Sequence, residues 1–255
     1  MRGYGAFIQK EIRENSRNYK FFILGIIFAI VGLLSPLSAR FLPELMETLM
    51  DENITIILAE PTYIDSWLQF FSNINQIALV AFVLVFSPVM AKEYEKGTFI
   101  HMVTKGLPRL TIYGAKLTVL LLSWTIFYLI SFLITRAYTL YYFPEGTSEG
   151  LFISVGSLYL FGLLIISLLM LSGVLFRNSY APLLAVGGGV AVLFIGSIFP
   201  VIERWSPLQL ATRNVEVLTL QSTDPAFTRG AIITLMITVM FIITGGLVFR
   251  RKALQ

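Results

Sequence analysis

Two carboxylates, Glu93 and Glu95, are the residues whose type and spacing could carry acid–base chemistry in this chain. Such chemistry needs further catalytic groups converging on the same spot. Nothing in the neighbouring sequence supplies them. The single histidine, His101, cannot build an HExxH zinc site or a serine–histidine triad with a spare base. With no cysteine, disulfides, thiolate metal sites and iron–sulfur clusters are excluded. No GxxxxGK[ST] phosphate loop occurs, and the Gly187-Gly188-Gly189 run lies in an apolar stretch with no lysine after it. That run reads as close helix packing, since small residues favour membrane helix interfaces. No catalytic and no metal-ligating constellation is expected, and Glu93 and Glu95 are expected instead to pair with Lys92, Lys96 or Arg109.

The elements that hold these residues are set by composition. Of 255 residues, 56% are apolar and 13% charged, with a mean hydropathy of +0.78. One core of this size cannot hide so much apolar side chain and still leave a polar skin. The sequence therefore predicts an all-α integral membrane protein. Apolar runs predict six spans, at 21–37, 68–90, 117–135, 151–176, 181–200 and 230–249, each near the length that crosses a bilayer core of about 30 Å. No small-residue cleavage site follows a short apolar region near residue 1, so a removable signal peptide is not expected.

Charge gives the orientation. The N-terminal segment, the 92–116 connection, Arg177 and the C-terminal tail hold 14 of the 19 basic residues, while the alternate connections hold 11 of the 15 acids. Lysine and arginine are retained in the cytoplasm, so both termini are expected there. The formal charge of +4 is a side-to-side asymmetry facing anionic lipid, not a nucleic-acid signature. Residues 4–20 carry Tyr4, Phe7, Ile8, Ile12 and Tyr19 within one arc of about 140°, with Lys10, Arg13, Arg17 and Lys20 opposite. This predicts an interfacial elbow helix over 1–20. Residues 201–229 mix apolar and charged side chains, as short re-entrant or interfacial outer helices do. Tyr138, Tyr141, Tyr142 and Phe143 read as an aromatic belt.

The 92–116 connection is the most informative segment. Gly97 breaks the extension of the second span, and Thr98 is placed to cap a new helix. Gly106 and Pro108 end that helix after about two turns, with Lys105 in the last. Phe99, Met102 and Val103, at i, i+3 and i+4, form one small apolar face suited to a partner's groove.

Here the sequence resembles the type-2 ATP-binding-cassette export permeases. Their corresponding connection carries Glu-x-Glu-x-Gly-Thr, a coupling helix, then a Pro–Arg element and a Gly–Lys element. Glu93, Glu95, Gly97, Thr98, Pro108, Arg109, Gly114 and Lys116 occupy the matching places. Tyr94 departs where a basic residue is common, and no residue separates Pro108 from Arg109. The resemblance implies a permease in a prokaryotic cytoplasmic membrane, paired with a second copy or a related chain. Two cytosolic ATPase subunits would dock on Glu93, Glu95, Gly97, Thr98, Phe99, Met102, Val103, Lys105, Pro108 and Arg109. ATP and magnesium would belong to those subunits, and this chain would bind no cofactor.

The spans agree in carrying almost no ionisable residue, whereas ion-driven transporters place carboxylates or histidines at membrane depth. Asn73, Asn75 and Gln76 could line a substrate path or merely bond between helices. The alternatives are a stand-alone secondary transporter or channel, or a non-transporting membrane assembly subunit.

Overall fold

The computed structural model describes residues 2–49, 60–95, 97–104, 106–144, 146, 150–176, 178–219 and 225–252, and these are predominantly helical, with no strand among them. In chain order the helices are α1 (Arg2–Arg17), α2 (Lys20–Leu49), α3 (Tyr63–Asn73), a π-helical turn at Ile74–Ala78 and α4 (Leu79–Phe86). A 3-10 turn at Ser87–Val89 leads to α5 (Ala91–Glu95) and α6 (Thr98–Thr104). Then follow α7 (Arg109–Tyr142), α8 (Leu151–Leu175), α9 (Ala181–Ser197), α10 (Pro200–Glu203), α11 (Gln209–Thr212), α12 (Asn214–Thr219) and α13 (Pro225–Arg251).

Five helical stretches among the described residues are long and apolar enough to cross a membrane: Lys20–Leu42, Tyr63–Glu95, Arg109–Tyr142, Leu151–Leu175 and Pro225–Arg251. Their outward faces are apolar. On α7, Leu122, Ile126, Leu129 and Leu133 recur at helical spacing and each stands about half exposed, while Ser123, Ser131, Thr135 and Thr139 turn inward. A water-soluble bundle shows the reverse arrangement. Two of these buried hydroxyls donate to helix carbonyls, Ser123 to Val119 O and Thr135 across to Gly32 O of α2, and Thr139 pairs with the Ser66 hydroxyl of α3. In a bilayer core no water would satisfy them.

The fifth expected span, 181–200, is shorter than expected. α9 has 17 residues and rises about 25 Å, short of a bilayer core of about 30 Å. Pro200 is the cause: the residue before a proline is driven out of the α region, and Phe199 is extended at φ −93°, ψ 115°. α9 also leans on α8 along one edge only. Gly189 faces Leu168, but a Cβ on Gly187 or Gly188 would meet nothing, so most of the glycine run does not serve close packing within this chain. The first and third spans run longer than expected, α2 to Leu49 and α7 to Tyr142. Trp124 of α7 centres the core, edge-on to Phe28 and Phe82 with centroids 5.8 and 5.6 Å away. It needs a glycine opposite, because a Cβ on Gly162 would collide with its ring.

α1 and α2 are broken apart at Tyr19, which adopts the left-handed conformation at φ 57°. α1 lies along the start of α7, and α6 rests on the last turns of α13. This is the α6 end of the bundle; α10–α12 pack at the far end.

Candidate functional site

The α5–α6–α7 connection is fixed by backbone geometry. Gly97 (φ 63°) and Gly106 (φ 84°) both sit in the left-handed region, which costs a side-chain-bearing residue about 1–2 kcal/mol. After α6, the Leu107 amide donates to Met102 O at 3.2 Å and the Gly106 amide to Val103 O at 2.9 Å. This pair of bonds is the Schellman ending expected of glycine. Thr98 is the first residue of α6 and not a cap on it: its hydroxyl turns back to the Glu93 carboxylate.

Glu93 is the hinge of a buried charge cluster. Oε1 of Glu93 accepts from Lys10 Nζ of α1 at 3.0 Å and from Lys116 Nζ of α7 at 3.1 Å. Both ammonium groups also reach Glu11 Oε1 at 2.9 Å, and Lys10 reaches Glu14 at 2.7 Å. Lys116, Glu11 and Glu93 have side chains 2%, 4% and 7% exposed. Charges that deep persist only when paired and hydrogen-bonded. Glu93 was expected to pair with Lys92, Lys96 or Arg109, its neighbours in sequence. Its partners come instead from α1 and from the second turn of α7, because α5 turns Glu93 into the bundle and leaves Lys92 exposed.

Burial by itself opposes charge on Lys10, but the Glu14, Glu11 and Glu93 carboxylates outweigh it and raise its pKa above the ordinary lysine range. Burial likewise opposes charge on Glu14, and Lys10 overcomes it, so the pKa of Glu14 is lowered. The carboxylates of Glu11, Glu14 and Glu93 lie within 4.8 Å of one another, a spacing that could hold a metal ion. The Lys10 ammonium already contacts all three at 2.7–3.0 Å, so the arrangement needs no further cation.

The apolar face of α6 turns inward. Phe99 is 1% exposed, its ring 4.8 Å from Tyr94 and 5.2 Å from Phe249 of α13. Met102 and Val103 are half-buried against the same cluster. The expectation that Phe99 meets a partner's groove is thereby corrected: the last turns of α13, remote in sequence, supply the surface it covers. Arg109 is likewise used within the chain, donating to Arg250 O at 3.1 Å and Lys252 O at 2.6 Å, where it closes the C-terminus of α13. Lys252 in turn donates to Val174 O and Leu175 O at the end of α8. Glu95, Gly106 and Pro108 remain at the surface, and Glu95 receives the Ser179 hydroxyl at 3.4 Å. Lys105 lies outside the described residues.

Toward the far end, the three amides of the second span part company. Asn73 donates to Ser35 of α2, Asn75 to Ala211 O of α11 and Gln76 to Ser72. The π-helical turn at Ile74–Ala78 separates Asn73 from the other two; such turns insert one residue and re-aim side chains. Asn75 and Gln76 line a cavity of about 710 Å³ bounded by α3, α4, α8, α9, α11 and α12, whose walls are largely apolar and carry no ionisable side chain. Asn73 does not line it.

Sequence reasoning missed Lys10 and Glu11. The available signal was Phe7–Glu11–Asn15, an i, i+4, i+8 row that proves to be the buried face of α1. Compared with known proteins, the chain matches no family model and no curated protein.

Proposed function

We propose that this chain is the membrane-spanning permease subunit of an ATP-driven exporter, moved through α6 by two copies of a separate cytosolic ATPase. The observation that supports this reading is the way α6 is held. It has seven residues between two left-handed glycines, its inner face rests on Phe249 of α13, and Thr98 and Glu93 tie its base to α1 and α7. A displacement of α6 would therefore pass to three helices instead of being absorbed in a loose connection. Coupling further requires that the ATPase contact α6 differently in its two nucleotide states.

In this reading α1 is the interfacial elbow, and both termini are cytoplasmic. α9 and the residues after it complete a sixth crossing, and α10–α12 lie in the outer leaflet. A second copy or a related chain completes the substrate path, to which the cavity beside Asn75 and Gln76 contributes. ATP and magnesium belong to the ATPase, and the chain is not an enzyme alone.

Isolated from its own membrane in mild detergent, the chain should bring an ATP-hydrolysing subunit in equal stoichiometry. Glu95→Lys should weaken that association without lowering thermal stability, because Glu95 is exposed and its hydrogen-bond partner among the described residues is a single serine hydroxyl. Cargo movement by the chain reconstituted alone, without nucleotide, would sink the proposal.

A further inference from the structure

Five basic residues lie outside the basic end of the chain, at Arg40, Arg136, Arg204, Arg213 and Arg229. Three of them converge. Arg204, Arg213 and Arg229 line one polar cleft of about 700 Å³ at the far end, between α10, α11, α12 and the start of α13. Arg213 is committed to Glu216 at 2.6 Å. Arg204 and Arg229 make no ion pair among the described residues, and Arg229 lies 5.7 Å from the centre of the Trp205 ring. Arg229 also stands near the positive end of α13, where the helix dipole disfavours a cation and favours an anion.

The same cleft carries acceptors. Gln209 is 2% exposed; its amide nitrogen donates to Glu203 O, and its Oε1 has no partner among the described residues. The Glu203 carboxylate is unpaired among them too. A buried carbonyl without a donor is destabilising, so a ligand supplying one would relieve it. Two guanidinium groups with no ion pair among the described residues, beside a carboxylate and a buried carbonyl likewise without partners among them, complement a ligand that bears both an anion and an ammonium. Val201, Ile202 and Trp205, at 76%, 51% and 51% exposure, flank the cleft with apolar surface, as expected at the boundary between headgroups and acyl chains.

We propose that this cleft binds a phosphoethanolamine group, the phosphate on Arg204 and Arg229 and the ammonium on Glu203 and Gln209. The apolar flank favours a phospholipid as its source. The inference is independent of whether the chain transports anything.

Native mass spectrometry of the full chain in detergent, titrated separately with phosphatidylethanolamine, phosphatidylcholine and phosphatidylglycerol, tests it. Phosphatidylethanolamine should be retained best, since choline has no N–H to give and glycerol no charge. The double variant Arg204→Gln/Arg229→Gln should lower its retention at least about tenfold, as expected for the loss of charge-assisted phosphate bonds. Glu203→Gln should reduce the preference for phosphatidylethanolamine over phosphatidylglycerol by about threefold, the effect of one solvent-accessible charge. All these side chains except Gln209 reach solvent, so thermal unfolding of the variants serves as the folding control. Soluble phosphoethanolamine binding at the same arginines with equal affinity would support the chemistry with a soluble source. Equal retention of all three lipids, or retention unchanged in the double variant, would overturn the proposal.

Discussion

At the α6 end, helices far apart in sequence are joined by full charges: Lys10 and Glu11 from α1, Glu93 from α5 and Lys116 from α7. At the far end, α8, α11 and α12 are joined by neutral groups. Asn214 Nδ2 reaches Ser154 O at 3.1 Å, Ser157 Oγ at 2.8 Å and Leu210 O at 2.7 Å, and Ser157 Oγ reaches Leu210 O at 3.4 Å. Both networks are buried, yet they differ in what happens when one member is lost. Removing a neutral amide leaves only neutral acceptors behind, and Leu210 O keeps the Ser157 hydroxyl. Removing one charge leaves the opposite charge desolvated. The α6 end therefore behaves as a unit, and the far end as a sum of small terms.

Lys116→Met gives the largest break. Glu11 and Glu93 would keep the partly exposed Lys10 as their one remaining cation among the described residues, and loss of one partner from a buried pair costs about 3–5 kcal/mol. Chemical unfolding of the purified chain in detergent should show a loss of this order, and adding Glu11→Gln should restore part of it. A Lys116→Met protein as stable as the parent would mean that the cluster does not bind α1 and α7 together.

Asn214→Ala is the matching change at the far end. Interhelical hydrogen bonds in membrane proteins contribute about 0.6 kcal/mol each, so the expected loss is about 1–2 kcal/mol. An equal cost for the two variants would erase the distinction between the two ends.

Much of this was legible in the residues, for identifiable reasons. The all-α membrane character follows from composition alone, and Gly97, Gly106 and Pro108 bound α6 because backbone geometry is local. The inward face of α1 was not legible. An arc chosen by apolarity takes Tyr4 and Ile12, which stand 37% and 41% exposed, and passes over Glu11 and Asn15, which are buried. Glu11 is buried because Lys116, 105 residues away, waits for it. The burial of Phe99 depends in the same way on Phe249, and nothing within α6 announces that partner. Asn73, Asn75 and Gln76 read as one cluster until the π-helical turn parts them, and a single extra residue per turn leaves no mark in composition.

The smallest expected effect separates the two ends by pH. Glu14 has a folded pKa below its ordinary 4.5, so its contribution to stability is present above pH 4.5 and is lost as pH falls through the folded value. Lys10 has a folded pKa above its ordinary 10.5, so its contribution is complete below that pH and is lost only in stronger alkali. Between those limits the pair is fully charged, and stability should be flat with respect to it. Lys10→Met removes the partner that lowers Glu14 and should shallow the acid limb measured by unfolding below pH 4.5. The change should be modest, since both side chains are 39% exposed and screened by solvent. Asn214→Ala has no titrating partner and should shift the whole profile down without changing its shape. An acid limb unchanged by Lys10→Met would place the acid sensitivity outside the Lys10–Glu14 pair and weaken the contrast at its charged side.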